Sequence, residues 1–505
     1  MEPRLKGVFN QLRLAVVRSQ RIKPIQRLFS CFQDILLWGF VRNFKRYQDI
    51  HSIWVKGSMV DGTYLFGESD IDGVIFLKSL SPSREFEVVS RIFKDARRWK
   101  NIFRITKVEH VFSERDLRII KKIGKDFFIF NPLKWRQLTG EHMNKDFLSN
   151  PLPPQAAFGL FPLVIYWYDV LINDFLMVGH WENSCLRNFY KIIFKICLML
   201  HDISCVQEGV DIFKNPRTAF IKEIPDEFLK KLCEKSESLD VNDFYSLSGR
   251  EEIARACACL LKWMDQTASG QLARINLSQS NEHINKKILP ALPLSVIEQA
   301  RAWSNLAGPF LEAVIHCQDY LYLVVKESGS IDDLTMLIDS GNKTQPCIVS
   351  FWTKDVLNYR LFCNPFWHRA YLASAQVLFG PNLDQLISLT PSIDRSYRKI
   401  YFLGVLDAMK NALMDSGPEL LNKQKNLLRQ LAVDRLVLEN NFITGGDDIG
   451  EAYRRYYAER PDEDKTITLL NIDLQKLNHR CEADLSRDFY LAQCDMLDKI
   501  EPSLD

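Results

Sequence analysis

The chain has 505 residues, of which 47% are hydrophobic and 25% charged, with a formal net charge of +2. That composition excludes a disordered or fibrous chain, and the length calls for two to four domains with ample core. No apolar run approaches the ~20 residues needed to cross a bilayer, and the opening MEPRLKGVFNQLRL lacks the apolar segment of a signal peptide.

The near-neutral total hides an asymmetry. Residues 1–136 hold 27 Lys/Arg against 14 Asp/Glu, whereas the remaining 369 hold 38 against 49. A basic N-terminal part suits a polyphosphate or nucleic acid, and equally suits a solvated basic face. The 12 cysteines are scattered, with no CxxC pair and no Cys/His ligand spacing. Reduced core thiols in a cytoplasmic protein are therefore expected, and zinc is not.

In chain order, residues 26–47 place Leu28, Phe29, Phe32, Ile35, Leu36 and Phe40 at helical spacing. A buried strand follows at Ile53 to Val55, then Gly57-Ser58, a polar connection, and a second strand opening with Asp70-Ile71-Asp72. Side chains alternate along a strand, so Asp70 and Asp72 share a face. Two carboxylates so placed repel unless a cation lies between them, which points to a divalent metal. Gly57 lets backbone approach a ligand closely, and Ser58 is placed to cap a short turn whose free N–H groups suit a phosphate. An ordinary strand–turn–strand with two edge charges is the plain alternative.

Residues 82–99 then read as a helix and residues 102–112, IFRITKVEHVF, as a strand with Glu109 and Lys107 on one face. From Pro151 helices are expected at 156–178, 184–201, 217–234 and 250–267. In the second of these Arg187, Lys191 and Lys195 form a basic stripe, which a solvated helix face also explains.

The Gly-Ser, short gap and Asp-x-Asp of GSMVDGTYLFGESDID resemble the signature of the nucleotidyltransferase superfamily that includes DNA polymerase beta. Within it the stretch is most similar to the antibiotic (aminoglycoside) nucleotidyltransferases. The resemblance implies an α+β fold, a mixed sheet with helices beside an α-helical domain. It implies Mg²⁺ on Asp70 and Asp72, an NTP (ATP by default) seated on Gly57 and Ser58, and Glu109 as third carboxylate and general base. Lys191, Lys195 and Lys214 become candidates for reaching the triphosphate, and residues 131–143 resemble the helix-and-Gly segment that closes the domain in relatives.

The second half reads as a worn copy of the first. The segment DYLYLVVKESGSIDDLTMLI parallels the opening stretch, setting Val325-Lys326 against Val55-Lys56 and Asp332 against Asp72, with the Gly-Ser connection lost. Further on, 346–357 parallels VEHVFSERDL without an acid for Glu109, and VLFGPNL parallels QLTGEHM, setting Gly380 against Gly140. The expectation is a catalytic domain at 1–150, a helical domain at 151–290, a degenerate nucleotidyltransferase-like domain at 291–395 and a second helical domain at 396–505. The expected activity is transfer of NMP to an acceptor hydroxyl. A small-molecule acceptor is favoured by the motif, and a protein or tRNA acceptor by the basic N-terminal part. A non-catalytic nucleotide-binding regulator is the remaining alternative.

Overall fold

The computed structural model describes residues 16, 19, 22–57, 60, 71–103, 106–123, 135–141, 156–177, 186–210, 219–238, 249–274, 291–317, 320–339, 347–363, 375–387, 406, 408–415, 417–439, 449–474 and 482–504. Through residue 272 the elements are α1 (Lys23–Lys45), β1 (Ile50–Lys56), β2 (Ile71–Leu77), α2 (Pro82–Phe103), β3 (Thr106–Phe112), α3 (Glu114–Ile123), β4 (Arg136–Gly140), α4 (Ala156–Val170), α5 (Leu186–Gln207), α6 (Glu227–Ser238) and α7 (Arg250–Leu272). They continue with α8 (Leu294–Ala307), β5 (Leu311–Cys317), β6 (Tyr320–Val325), α9 (Ile331–Asp339), β7 (Ile348–Trp352), α10 (Lys354–Cys363), β8 (Gln376–Phe379) and α11 (Leu383–Leu386). The last helices are α12 (Gly417–Leu438), α13 (Ile449–Tyr457), α14 (Asp464–Asn471) and α15 (Glu482–Ile500). The fold is mixed α+β. Among the described residues no helix is long and apolar enough to cross a membrane.

The chain divides into two compact units, and the division does not follow chain order. Unit 1 joins residues 1–150 to 398–443 and 447–505; unit 2 holds 151–397 with 444–446. In unit 1 the sheet order is β3-β2-β1-β4, with β1 antiparallel to both β2 and β4, and β2 parallel to β3. The helical companions of this sheet come from the end of the chain. Leu406, Met409, Leu428, Leu431, Phe489 and Tyr490 share one core with Trp54, Ile75, Val89, Ile92 and Val111. Sequence reasoning set the helices after Pro151 beside the first sheet; those helices share unit 2 with the second one.

Local chemistry starts and stops these elements. Ser113 and Asp116 form a capping box at α3: the Asp116 N–H donates to Ser113 Oγ and the Ser113 N–H to Asp116 Oδ2 at 2.6 Å. Residues 131–143 were expected to close the domain with a helix, yet Arg136–Gly140 is strand β4. Gly140 ends it at φ +98°, and a Cβ there would lie 2.2 Å from the His51 carbonyl oxygen. Only glycine lets the two backbones come that close. The expected strand from 102 begins at Thr106, because α2 runs on to Phe103. The expected helix 217–234 is interrupted: a 3₁₀ turn at Ala219–Glu223 precedes Pro225, and α6 starts at Glu227.

Unit 2 holds a sheet of order β7-β6-β5-β8 with the same pattern of directions. Gly380, at φ +99°, would place a Cβ 2.3 Å from the Glu312 carbonyl oxygen, just as Gly140 meets His51. The register corrects one alignment. Lys56 pairs with Asp72 where β1 meets β2, and Cys317 pairs with Tyr320 at the matching end of β5 and β6. Tyr320, not Asp332, therefore stands at the position of Asp72. Asp332 lies in the first turn of α9, because Ser330 and Asp333 make a capping box that begins a helix there. Val325-Lys326 correspondingly ends β6, as Leu77-Lys78 ends β2.

Candidate active site

The candidate site gathers at one end of the unit 1 sheet, where β1 ends and β2 begins. Gly57 follows Lys56 with φ +68°, in the left-handed region that favours glycine. A Cβ at Gly57 would stand 3.2 Å from Asp72 Oδ2, so the missing side chain keeps space open beside that carboxylate. The Val60 N–H donates to the Gly57 carbonyl at 2.9 Å, closing a turn directly after the strand. Ser58 and Asp70, the other halves of the two expected pairs, lie outside the described residues, as does Lys214.

Glu109 arrives from β3 by a local irregularity. The β2/β3 pairing runs Gly73 with Val108 and then Val74 with His110, which leaves Glu109 as the extra residue of a bulge. A bulge interrupts strict alternation and re-aims the side chain it carries. The Glu109 side chain, 27% exposed, pairs with Lys56 at 3.0 Å from Nζ to Oε2. Lys56 also contacts His110 Nε2 at 2.7 Å. An ammonium only donates, so His110 Nε2 accepts and the ring carries its proton on Nδ1. His110 is buried and lies parallel to Trp135, with ring centroids 6.3 Å apart.

The structure thus brings together Gly57, Asp72 and Glu109 on the two joined strand pairs. Sequence reasoning missed Lys56 and His110. The one available signal for Lys56 was a lysine ending the apolar strand IWVK immediately before Gly-Ser; nothing in the pattern marked His110. Lys191 and Lys195 sit on α5 of unit 2, both exposed, with the Lys195 ammonium 4.0 Å from the centre of the Trp167 ring.

The room at Gly57 bears on metal binding. A divalent ion needs room beside the carboxylate that holds it, and Gly57 places no side chain against Asp72 Oδ2. Asp72, the described one of the two expected ligands, is a hard oxygen donor of the kind Mg²⁺ takes. Elsewhere among the described residues, Asp265, Glu327 and Asp355 of unit 2 bring carboxylate oxygens within 4.8 Å of one another. Burial raises the Asp265 carboxyl above its ordinary range, and the Thr353 hydroxyl donates to it.

Residues 39–139 match the family model of the nucleotidyltransferase domain. The match runs from within α1 into β4 and so contains every described residue of the candidate site. No curated protein and no solved structure matches the chain.

Proposed function

We propose that this protein is a Mg²⁺-dependent nucleotidyltransferase that moves a nucleoside monophosphate, AMP from ATP, onto an acceptor hydroxyl. A small hydroxylated acceptor of the aminoglycoside kind is favoured over a protein or tRNA end. The observation that carries the reading is Gly57 opening space beside Asp72, within the segment that matches the nucleotidyltransferase domain.

In this reading the Gly57-Ser58 backbone seats the phosphates, and Asp70 and Asp72 are the metal-holding carboxylates. The bound ion supplies charge neutralisation for the polyphosphate. Glu109 accepts the proton of the acceptor hydroxyl as its oxygen attacks the α-phosphorus in line, and pyrophosphate leaves. Lys191, Lys195 and Lys214 are the helical-domain candidates for the triphosphate, on the family resemblance alone. Residues 291–395 are a degenerate copy of residues 1–150, with 151–290 and 396–505 as the two helical parts. Support for this comes from the shared strand order and the matched Gly140 and Gly380. Among the described residues nine of ten cysteines are buried and none is in a disulfide, which agrees with a cytoplasmic setting.

The test is incubation with α-labelled NTPs, Mg²⁺ and a host-cell lysate separated into small-molecule, RNA and protein fractions. Label in the small-molecule fraction, strongest from ATP, is the expected result. Label only in RNA or protein would move the acceptor class. Metal-dependent NTP binding with no label anywhere would favour the regulatory alternative.

A further inference from the structure

Lys56 is an unusual residue to end a buried strand. The residues before it, Ile53, Trp54 and Val55, are all within 1% of complete burial, and its own side chain is 18% exposed. The register pairs it with Asp72, so the two side chains leave the sheet on the same face. Two of its three N–H donors go to Glu109 and His110, at 3.0 and 2.7 Å. One ammonium therefore ties β1 to the bulge of β3, across the strand that carries Asp72.

The second sheet offers an internal comparison. At the position of Lys56 it carries Cys317, at that of Asp72 it carries Tyr320, and opposite Tyr322 it has Ser350 where His110 stands opposite Val74. Its β6/β7 ladder runs without a register shift, so no residue stands where the bulge presents Glu109. At the matched positions of the second sheet neither the lysine nor the groups it faces have a counterpart. A lysine needed only for solubility would have no reason to change with them.

We propose that Lys56 is a positioning residue of the nucleotidyl-transfer site: it fixes the Glu109 carboxylate at the bulge and holds His110 in its Nδ1–H tautomer. This rests on the transfer reading above. The bulge takes Glu109 out of the β2/β3 ladder register, and a glutamate side chain has rotamer freedom to lose when it is fixed. The ammonium removes that freedom before substrate arrives, so Glu109 is already aimed when the acceptor hydroxyl binds.

The experiment compares Lys56→Met, Lys56→Gln and Lys56→Arg in the full-length protein. The readouts are NMP transfer from Mg·ATP, Mg·ATP affinity by calorimetry, and the imidazole ¹⁵N signals of His110, assigned by their loss in His110→Gln. Lys56→Met and Lys56→Gln should lower kcat by about 10–100-fold while the Kd for Mg·ATP changes by less than about threefold. Lys56→Arg should recover part of the rate. On a Glu109→Gln background Lys56→Met should cost nothing further, because the group it positions is already disabled. The His110 Nε2 signal should shift in Lys56→Met as its donor disappears.

A Kd that rises tenfold with kcat preserved, or losses that multiply with Glu109→Gln, would make Lys56 a phosphate contact and overturn the proposal. An unmoved His110 spectrum would overturn it as well. Native protein that transfers no label from any NTP would refute the transfer reading itself. The His110 spectrum would then still decide whether Lys56 makes the contact.

Discussion

Replacing Lys410 by Met should destabilise unit 1 and leave unit 2 alone. The Lys410 side chain is 2% exposed, lies 3.3 Å from Glu85 Oε1, and makes a shorter contact with Asp116; both carboxylates are also 2% exposed. The Tyr490 hydroxyl donates to Glu85 at 2.7 Å, and Arg115 bridges Glu85 to Asp498. Burial alone would raise the Glu85 carboxyl, but Lys410 and Arg115 outweigh it and bring it below its usual range. Asp116, fully enclosed and beside Glu85, is pushed up despite the lysine.

Without Lys410, two buried carboxylates remain side by side, with Arg115 the cation next to Glu85. Breaking a buried pair in this way costs about 3–5 kcal/mol. At roughly 2–4 °C per kcal/mol for a unit of this size, the melting transition should fall by on the order of 10 °C. The assay is calorimetry on the full chain, with hydrogen exchange in α3 and α15 compared against α7. The pH sign is definite. In the native protein the lowered Glu85 pKa contributes stability that is present above the unfolded glutamate value and lost as pH falls through the folded one. Removing the ammonium raises both carboxyls relative to the native protein, so the variant's deficit is largest at neutral pH and shrinks on acidification. Neutralising the whole set, Lys410→Met with Glu85→Gln and Asp116→Asn, should recover most of the loss. A single variant melting within a degree of native, or a triple variant no better than the single one, would refute the reasoning.

Asp72→Asn should abolish NMP transfer with the fold intact, and near-normal Mg²⁺-dependent transfer would remove Asp72 from the site; Glu109→Gln should keep Mg·ATP binding and slow transfer by about 10²–10⁴-fold. Gly140→Ala and Gly380→Ala each force a Cβ against a carbonyl at a left-handed φ, so each should lower the stability of its own unit by about 1–3 kcal/mol from backbone strain alone, read as a lower melting temperature. Equal stability in either variant would contradict the close strand approach. A chain ending at residue 397 should retain native-like exchange protection in α7 and β5, while β1 to β3 lose theirs; protection kept in β1 to β3 would show that the first sheet does not need the C-terminal helices.

Strands β1 and β2 and the glycine turn after β1 were legible because they depend on local rules, whereas β4 was expected as part of a helix-and-Gly segment. A run such as IWVKG ends a strand and turns, and GVIFL is a short apolar run that reads as a buried strand. Glu109 was proposed from strand order, but the bulge that carries it was not legible. The bulge that turns it is a property of pairing between β2 and β3, and no periodicity within residues 106–112 announces it. Lys56 and His110 were missed for the same reason, since their contact crosses three strands. Asp332 was misplaced because SIDD carries two meanings. Read as a strand opening it imitates Asp70-Ile71-Asp72, and read as Ser-x-x-Asp it is a helix cap. The capping hydrogen bonds decide for the helix.

Chain order misled most where long-range packing decides. Arg115 meets Asp498, Tyr490 meets Glu85 and Lys410 meets Asp116, all across hundreds of residues. The sheet that carries Asp72 and Glu109 therefore cannot complete its core until the end of the chain has been made. Unit 2, drawn almost wholly from residues 151–397, has its parts available earlier during synthesis. The long return is affordable because loop-closure cost grows only with the logarithm of loop length. It also ties the candidate active site to the whole polypeptide. The apolar face formed by Val89, Ile92 and Phe93 is buried in a core shared with Leu428, Phe489 and Leu497. A chain cut after the family-matched segment would leave that face in water, so failure of such a fragment would speak to folding and not to catalysis.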